Sequence, residues 1–184
     1  MIATHQKIPL QEKDLPAFLE TCPAPALILI LDELTDPHNL GACLRSADAT
    51  KVHLVIAPKH HSATLTPLVS KIASGAAETV PFIAVTNLAR TLQQLQQRGI
   101  WIFGATDKAE KSLWSMDFTG PMALVLGAEG AGLRRLTLAH CDYQFAIPMH
   151  GHVSSLNVSV AAGVCLYEIL RQRDVGGTAL PNYA

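Results

Sequence analysis

The chain has 184 residues, of which 49% are hydrophobic and 16% are charged, and its formal net charge is −1. This length suits one domain with a substantial core, and the near-neutral charge excludes a protein that binds nucleic acid through its overall charge. No apolar run is long enough for a signal peptide or a membrane span, so we predict a cytoplasmic protein without a membrane partner.

Four cysteines (Cys22, Cys43, Cys141 and Cys165) lack the spacing of a metal site. Cys43 and Cys165 lie in apolar helical runs, which indicates reduced, buried thiols. The high apolar fraction of the whole chain also favours an oligomer that hides part of its surface.

The pattern of apolar residues changes along the chain. Residues 1–25 are polar and interrupted by prolines, and we interpret them as an N-terminal arm or a truncated linker with a helical patch at 15–20. Residues 26–31 (A-L-I-L-I-L) form a continuous apolar run, typical of a strand that is covered on both faces. The elements predicted after it are a helix at 39–50, a strand at 52–57, a helix opened by Thr66 and Pro67, a strand at 80–85, a helix at 88–98 capped by Asn87, strands at 100–104 and 122–126, a helix ending near 139, a strand at 145–148 and a helix entered near Ser154.

Alternating strands and helices predict an α/β domain with a mostly parallel sheet and helices on both faces. We place this domain at residues 26–174 and predict a flexible tail at 175–184. The last helix is apolar nearly all round over 157–170. Such a helix is buried on most sides, which favours contact with a second chain as well as with its own sheet.

Residues 127–132 (G-A-E-G-A-G) follow a buried strand, where backbone amides at a helix entrance can meet a ligand. The spacing G-x-x-G-x-G after a late strand argues against a dinucleotide fold, and no Lys-Ser or Lys-Thr follows to make a phosphate-binding loop. From these residues alone, the segment can equally be a glycine-rich turn that binds no ligand. Glu129, close to a helix start, can equally be a favourable surface charge.

Other polar residues gather near the predicted helix starts. Asn39 fits a helix cap and Arg45, six residues later, fits a solvent-facing position. One turn near the start of the last helix holds more polar groups than a helix cap requires, namely those of Ser154, Ser155 and Asn157. His150 and His152 have a spacing that could chelate a metal, but no third ligand has a recognisable spacing, and we predict no metal site.

Three long segments resemble, in order, the three motifs of the SpoU family of RNA ribose 2′-O-methyltransferases, a branch of the SPOUT superfamily. They are 32–47 (D-E-L-T-D-P-H-N-L-G-A-C-L-R-S-A), 123–134 (A-L-V-L-G-A-E-G-A-G-L-R) and 145–173, which begins F-A-I-P-M-H-G-H-V-S-S-L-N. The resemblance covers residues 10–174. It implies a deep trefoil knot at the C-terminal end, which periodicity alone would not predict.

The resemblance also implies a function. A homodimer would transfer a methyl group from S-adenosylmethionine to a ribose 2′-hydroxyl of RNA, with a guanosine of 23S rRNA as the expected target. The residues that match the family's site are Asn39, Arg45, Glu129, Ser155 and Asn157 for catalysis, and Gly127, Ile147 and Leu156 for the methyl donor.

Three alternatives remain open at this point. An enzyme that methylates tRNA ribose would share every motif, and a nicotinamide- or nucleotide-binding enzyme is weakened by the glycine spacing. A non-catalytic RNA-binding module would not need the full set of five catalytic matches. The basic residues near the ligand loops are candidates for RNA phosphate contacts, whereas the 5% aromatic content offers no evident base-stacking platform. These basic residues are Lys108, Lys111, Arg134, Arg135, Arg171 and Arg173.

Overall fold

The computed structural model describes residues 10–128 and 130–174. Its sheet is parallel between every pair of neighbouring strands, which confirms the predicted α/β class. The strand order is β3-β2-β1-β5-β4-β6. The strands are β1 (Leu27–Asp32), β2 (Leu54–Pro58), β3 (Phe82–Val85), β4 (Trp101–Ala105), β5 (Met122–Gly127) and β6 (Tyr143–Phe145).

Helices connect these strands and cover both faces of the sheet. The helices are α1 (Leu15–Thr21), α2 (Pro37–Ala49), α3 (Pro67–Ala73), α4 (Ala76–Thr79), α5 (Leu88–Gln97), α6 (Arg135–Ala139) and α7 (Val158–Asp174). None of the helices within the described parts of the chain is long and apolar enough to cross a membrane.

The apolar run of β1 explains the two covered faces, because successive side chains of a strand point to opposite sides. Leu29 and Leu31 pack into one core cluster with residues of α2, α3 and α7. Ile28 and Ile30 pack on the other side with α1 and α5. All four side chains are fully buried, as the sequence pattern predicts for a central parallel strand.

Two of the buried positions are the predicted inert thiols. Cys43 in α2 and Cys165 in α7 are fully buried, and burial raises the pKa of each thiol to about 12. Both remain protonated at neutral pH and pack as small apolar side chains, which confirms the interpretation of these two cysteines.

The helix caps agree with the sequence at two positions and differ at a third. The side chain of Thr66 accepts a hydrogen bond from the Val69 N–H, and that of Asn87 accepts from the Arg90 N–H, as predicted. In α2, however, Asp36 is the cap. Asn39 therefore lies inside the first turn of α2, and its side chain is not the cap of this helix.

The final strand and helix begin elsewhere than predicted. β6 ends at Phe145, so the predicted strand at 145–148 is wrong, and α7 begins at Val158 instead of near Ser154. The cause is Asn157, whose Oδ1 accepts from the N–H groups of Ser159 (2.9 Å) and Val160 (3.4 Å) and caps the helix in place of the serines. The trefoil knot stays a prediction.

Candidate active site

The candidate site lies where the chain changes direction across the sheet. From β1 the chain moves outward to β2 and β3, and it then crosses to β4 and β5 on the other side. β1 and β5 are therefore neighbours at the switch point, and open parallel sheets bind ligands beyond the carboxyl ends of such strands. The register pairs Asp32, the last residue of β1, with Gly127, the last residue of β5.

The glycine segment after β5 folds back on itself. Gly132 N–H donates to the Ala128 carbonyl oxygen at 2.8 Å, closing a tight turn. Gly130 and Gly132 have φ angles of +77° and +67°, a region that side chains disfavour. A Cβ atom on Gly127 would collide with the backbone of Gly132. The glycines are thus required by the turn, and Glu129 lies outside the described residues.

An ion pair that the sequence analysis missed holds this turn to β1. The Asp32 side chain is fully buried, and its Oδ1 accepts from Arg134 Nε at 2.8 Å while Oδ2 accepts from the Arg134 backbone N–H at 3.2 Å. Burial alone would lower the pKa of Arg134, but the hydrogen bond and charge of Asp32, with the charge of Glu33, raise it. The only sequence signal was a carboxylate ending an otherwise apolar strand.

A hydrogen bond joins the first and third sequence motifs. Asn157 Nδ2 donates to Asn39 Oδ1 at 3.0 Å, next to the first turns of α2 and α7. Farther along, a Cβ on Gly163 would lie 3.9 Å from Ser46 Oγ, so the two helices run side by side in the same direction. The predicted partners Asn39 and Asn157, which are 118 residues apart in the sequence, are therefore brought into contact.

Within the described part of the chain, no hydrogen bond joins Arg45 to either asparagine. Arg45 is exposed on α2, six residues and about 9 Å of helix axis from Asn39. Among the residues that the structure describes, no carboxylate pairs with Arg45. Its guanidinium group is available for a ligand anion.

A cavity of about 270 Å³ lies beyond β4 and β5, and we call it the central cavity. All three residues predicted to contact a methyl donor, Gly127, Ile147 and Leu156, line it, as does the predicted catalytic Ser155. Its lining comes from residues 105–108, 126–128, 130–132, 147, 149, 154–156, 158 and 161.

The segment that follows β4 was not predicted to be part of the site. Thr106, Asp107 and Lys108 line the central cavity, and their side chains carry a hydroxyl group, a carboxylate and an ammonium group. Only Lys108 had been noted, as a basic residue near the ligand loops. The available signal was topological, because β4 lies beside β5 and its carboxyl end meets the same edge.

The histidines do not form a metal site with other ligands in the described structure. His150 and His152 are both exposed in the segment before α7. Across residues 10–128 and 130–174, no group of three histidine, cysteine, aspartate or glutamate side chains could hold a metal ion.

Comparisons with known proteins place these motifs in a family. Residues 26–167 match the profile of the SpoU rRNA Methylase family. The 23S rRNA (guanosine-2′-O-)-methyltransferase RlmB of Yersinia pestis is 62% identical over 163 residues, which cover 89% of this chain and 66% of that protein. RlmB of Pseudomonas putida is 60% identical over 161 residues, covering 88% and 65%. The chain thus spans about 65% of the length of these curated relatives.

Two solved structures share the fold. The SpoU methyltransferase AviRb from Streptomyces viridochromogenes, in complex with the cofactor AdoMet, is 32% identical with a TM-score of 0.79, covering 85% of this chain and 64% of that one. The TrmH/SpoU tRNA modifying enzyme of A. aeolicus is 30% identical with a TM-score of 0.77, covering 90% and 85%. The family profile, the relatives and the shared fold agree, and the chain belongs to the SpoU rRNA methylase family.

Proposed function

We propose that this chain is the catalytic domain of a cytoplasmic enzyme that methylates a ribose 2′-hydroxyl of RNA with S-adenosylmethionine. The observation that carries the proposal is the central cavity, where Gly127, Ile147 and Leu156 meet beside Ser155. These residues come from the second and third motifs, and the Asn39–Asn157 hydrogen bond joins the first motif to them.

The lining of the central cavity fits the methyl donor. Leu126, Ile147 and Leu156 provide an aliphatic surface suited to an adenine ring, and Thr106 and Asp107 provide hydrogen-bonding groups suited to ribose hydroxyls or an amino group. When bound, S-adenosylmethionine supplies an electrophilic methyl group. The resemblance assigns the donor's contacts to Gly127, Ile147 and Leu156, and these three residues are our proposed binding set.

The remaining polar residues would handle the RNA. A ribose hydroxyl is a poor nucleophile that must lose its proton as it attacks, so catalysis depends chiefly on positioning. Guanidinium groups keep their proton in proteins. Arg45 would therefore grip a substrate phosphate and stabilise the developing alkoxide, and the proton would pass to the phosphate or to water.

Ser155 and the two asparagines would act beside Arg45. Ser155 is exposed in the wall of the central cavity, where its hydroxyl can orient the ribose. Asn157 uses Oδ1 for the helix cap and an amide N–H for Asn39, so it would position Asn39 and the segment before α7. Glu129 is assigned on its motif alone.

A guanosine of 23S rRNA is the proposed target. The support is the name shared by relatives that are 60–62% identical, whereas the tRNA modifying enzyme of similar fold is 30% identical. A tRNA ribose is the second candidate, because its modification would use the same motifs. Methyl transfer to transcripts of each RNA separates the two, and a preference for tRNA would overturn the rRNA assignment.

We also propose that the enzyme is a homodimer through α7. Val160 and Tyr167, two turns apart on one face, are 51% and 56% exposed, although α7 is otherwise mostly apolar and packed. Sedimentation of the chain checks this proposal. A single species with the mass of one chain at all concentrations would contradict it.

The first test is calorimetry with S-adenosylmethionine, S-adenosylhomocysteine and NAD. We expect binding of the first two in the micromolar range and no binding of NAD. Arg45→Ala should keep this binding but lower the methyl-transfer rate by about a hundredfold, as the loss of a charge-stabilising group does. Arg98→Ala, which removes an arginine at the end of α5, is the control. Binding of NAD alone would overturn the proposed function.

A further inference from the structure

A second cavity lies at the other end of β4. It has a volume of about 380 Å³, and we call it the aromatic cavity because Trp101, Phe103 and Tyr143 line it together with Lys111 and Asp117. The central cavity begins at Ala105, the last residue of β4. No residue lines both cavities, and Phe103 of the aromatic cavity is two residue steps, about 7 Å along a strand, from Ala105. The two cavities are therefore separate but adjacent.

The floor of the aromatic cavity is a row of contacting rings. Trp101 and Phe103 lie two residues apart and point to the same face of β4, and Tyr143 of β6 pairs with Phe103 in the sheet register. The Tyr143 and Phe103 rings stack with centroids 4.8 Å apart, and the Trp101 and Tyr143 centroids are 5.8 Å apart. Trp101 is 51% exposed and Tyr143 is 40% exposed. Two large ring surfaces thus face the solvent.

The inner end of this row is fixed by the core. The Phe103 ring meets that of Phe118 edge to face at a centroid distance of 5.1 Å, and Phe118 in turn meets Phe145. Phe118 and Phe145 are fully buried. The buried core thus holds the inner end of the floor in place, which lowers the ordering cost of binding there.

The wall of the aromatic cavity carries one cation and one anion, which suit different parts of a nucleotide. Lys111 is exposed and suits a phosphate group. Asp117 Oδ1 accepts hydrogen bonds from the Thr119 hydroxyl (2.6 Å) and backbone N–H (3.0 Å), which lower the pKa of Asp117. A carboxylate held in its charged form repels phosphate but accepts from the amino group of a nucleobase.

We propose that the aromatic cavity binds an unpaired nucleotide of the RNA substrate, with its base against Trp101 and Tyr143, an exocyclic amino group at Asp117 and a flanking phosphate at Lys111. This inference rests on the proposed function, because it takes the substrate to be RNA. Unpaired RNA bases are commonly recognised by stacking on aromatic side chains. The segment after β4 supports the link, since residues 105–108 line the central cavity and residues 115–117 line the aromatic one.

The two tryptophans of the chain allow a direct test. Trp114 is also exposed, at 59%, but it does not line the aromatic cavity. Trp114→Phe leaves Trp101 as the sole tryptophan, and Trp101→Phe leaves Trp114. Addition of an unpaired oligoadenylate is expected to quench the fluorescence of the first variant and to leave that of the second unchanged. Oligouridylate, whose base lacks an exocyclic amino group, is expected to bind more weakly.

Affinity measurements separate stacking from charge. Trp101→Ala should weaken oligoadenylate binding by about tenfold, within the range for one stacked base, while Trp114→Ala should leave it unchanged. The slope of log affinity against log salt should be unaffected by Trp101→Ala and reduced in magnitude by about one in Lys111→Gln. If Trp101 had only a structural role, its replacement would not lower the affinity while leaving the salt dependence unchanged.

Two results would overturn the proposal. In the first, the Trp101→Ala protein binds both oligonucleotides as tightly as the unchanged protein does, and the two single-tryptophan variants are quenched equally. The other is a change in sedimentation of Trp101→Ala without a change in RNA affinity, which would make the cavity a contact between copies of the chain. S-adenosylmethionine binding, measured in parallel, reports on the proposed function separately, because its loss would not follow from failure at the aromatic cavity.

Discussion

The beginning and the end of α7 differ in what their side chains contact. At the beginning, Asn157 contacts Asn39 of a neighbouring helix, and Ser154 and Ser155 are exposed beside the central cavity. At the end, side chains of the last two turns contact one another and the backbone of distant segments. One helix therefore begins beside the central cavity with polar groups and anchors the fold at its other end.

The anchoring end is a connected network. The buried Glu168 carboxylate accepts two hydrogen bonds from Arg171, at 2.8 and 2.9 Å, and one from Gln172 at 2.8 Å. The Gln172 side chain also donates to the Met116 carbonyl oxygen and accepts from the Phe118 N–H. This network holds the segment that forms one wall of the aromatic cavity. It thereby links the fold's anchor to the proposed RNA contact.

Breaking the anchor should have the largest effect on stability. The Arg173 guanidinium group donates to the carbonyl oxygens of Pro25, Ala26, Phe118 and Gly120 at 2.8–3.2 Å. Arg173→Ala would leave these acceptors without their charged donor. We expect the free energy of unfolding to fall by about 3 kcal/mol. Denaturant unfolding followed by circular dichroism measures it.

The Arg173→Ala substitution should lower stability without changing ligand binding. The folded fraction of Arg173→Ala should bind S-adenosylmethionine as the unchanged chain does, because Arg173 does not line the central cavity. Arg135→Ala, which removes an exposed arginine from the start of α6, is the control and should cost less than 0.5 kcal/mol. A similar loss in both variants would show that the end of α7 is no special anchor.

The sequence could predict the layers of the fold because they follow from local patterns. Continuous apolar strands alternating with helices are sufficient for a parallel sheet covered on both faces. Some residues of the central cavity were predictable for a different reason. Gly127, Ile147 and Leu156 lie in long motifs whose resemblance to a family supplied their positions, which periodicity could not have done.

The remaining features depend on contacts between distant residues. Arg134 and Asp32 are 102 residues apart, and Arg173 reaches Pro25 across 148 residues. No local pattern distinguishes such an arginine from a solvent-facing one. The predicted start of α7 was wrong for a local reason. Serine and asparagine are both good helix caps, and only the folded backbone selects Asn157 over Ser154 and Ser155.

Changes at the beginning of α7 should affect activity more than stability. Asn157→Ala removes both the helix cap and the donor to Asn39, and we expect a loss of about 1 kcal/mol in unfolding free energy. Asn157→Ser keeps a capping oxygen and should cost only a few tenths of a kcal/mol. Both variants should lower the methyl-transfer rate by about tenfold or more, because Asn39 is no longer held in position.

The serine variant decides between the two roles of Asn157. Unfolding curves and initial rates measured on the same preparations give both quantities. If Asn157→Ser were stable and fully active, the contact with Asn39 would have no part in the reaction, and the beginning of α7 would matter only as a helix start.

The smallest effect concerns the acid stability of the anchoring end. The hydrogen bond from Arg171 lowers the pKa of Glu168, and the hydrogen bond from Gln172 and the charge of Arg171 add to this against the opposing effect of burial. The ionised carboxylate thus stabilises the fold at neutral pH. This contribution is lost as the pH falls through the folded-state pKa of Glu168.

Glu168→Gln should therefore flatten the acid side of the stability curve. Below the ordinary carboxyl range, the unchanged chain and the variant should approach each other in unfolding free energy, whereas at neutral pH the unchanged chain should be more stable. Asp174→Asn removes an exposed carboxylate from the same helix end. This control should leave the difference in unfolding free energy between neutral and acid pH nearly the same as in the unchanged chain. A parallel shift of the whole Glu168→Gln curve would mean that the side chain stabilises α7 by packing, since packing does not titrate. The charge of Glu168 would then be no part of the anchor that distinguishes the two ends of the helix.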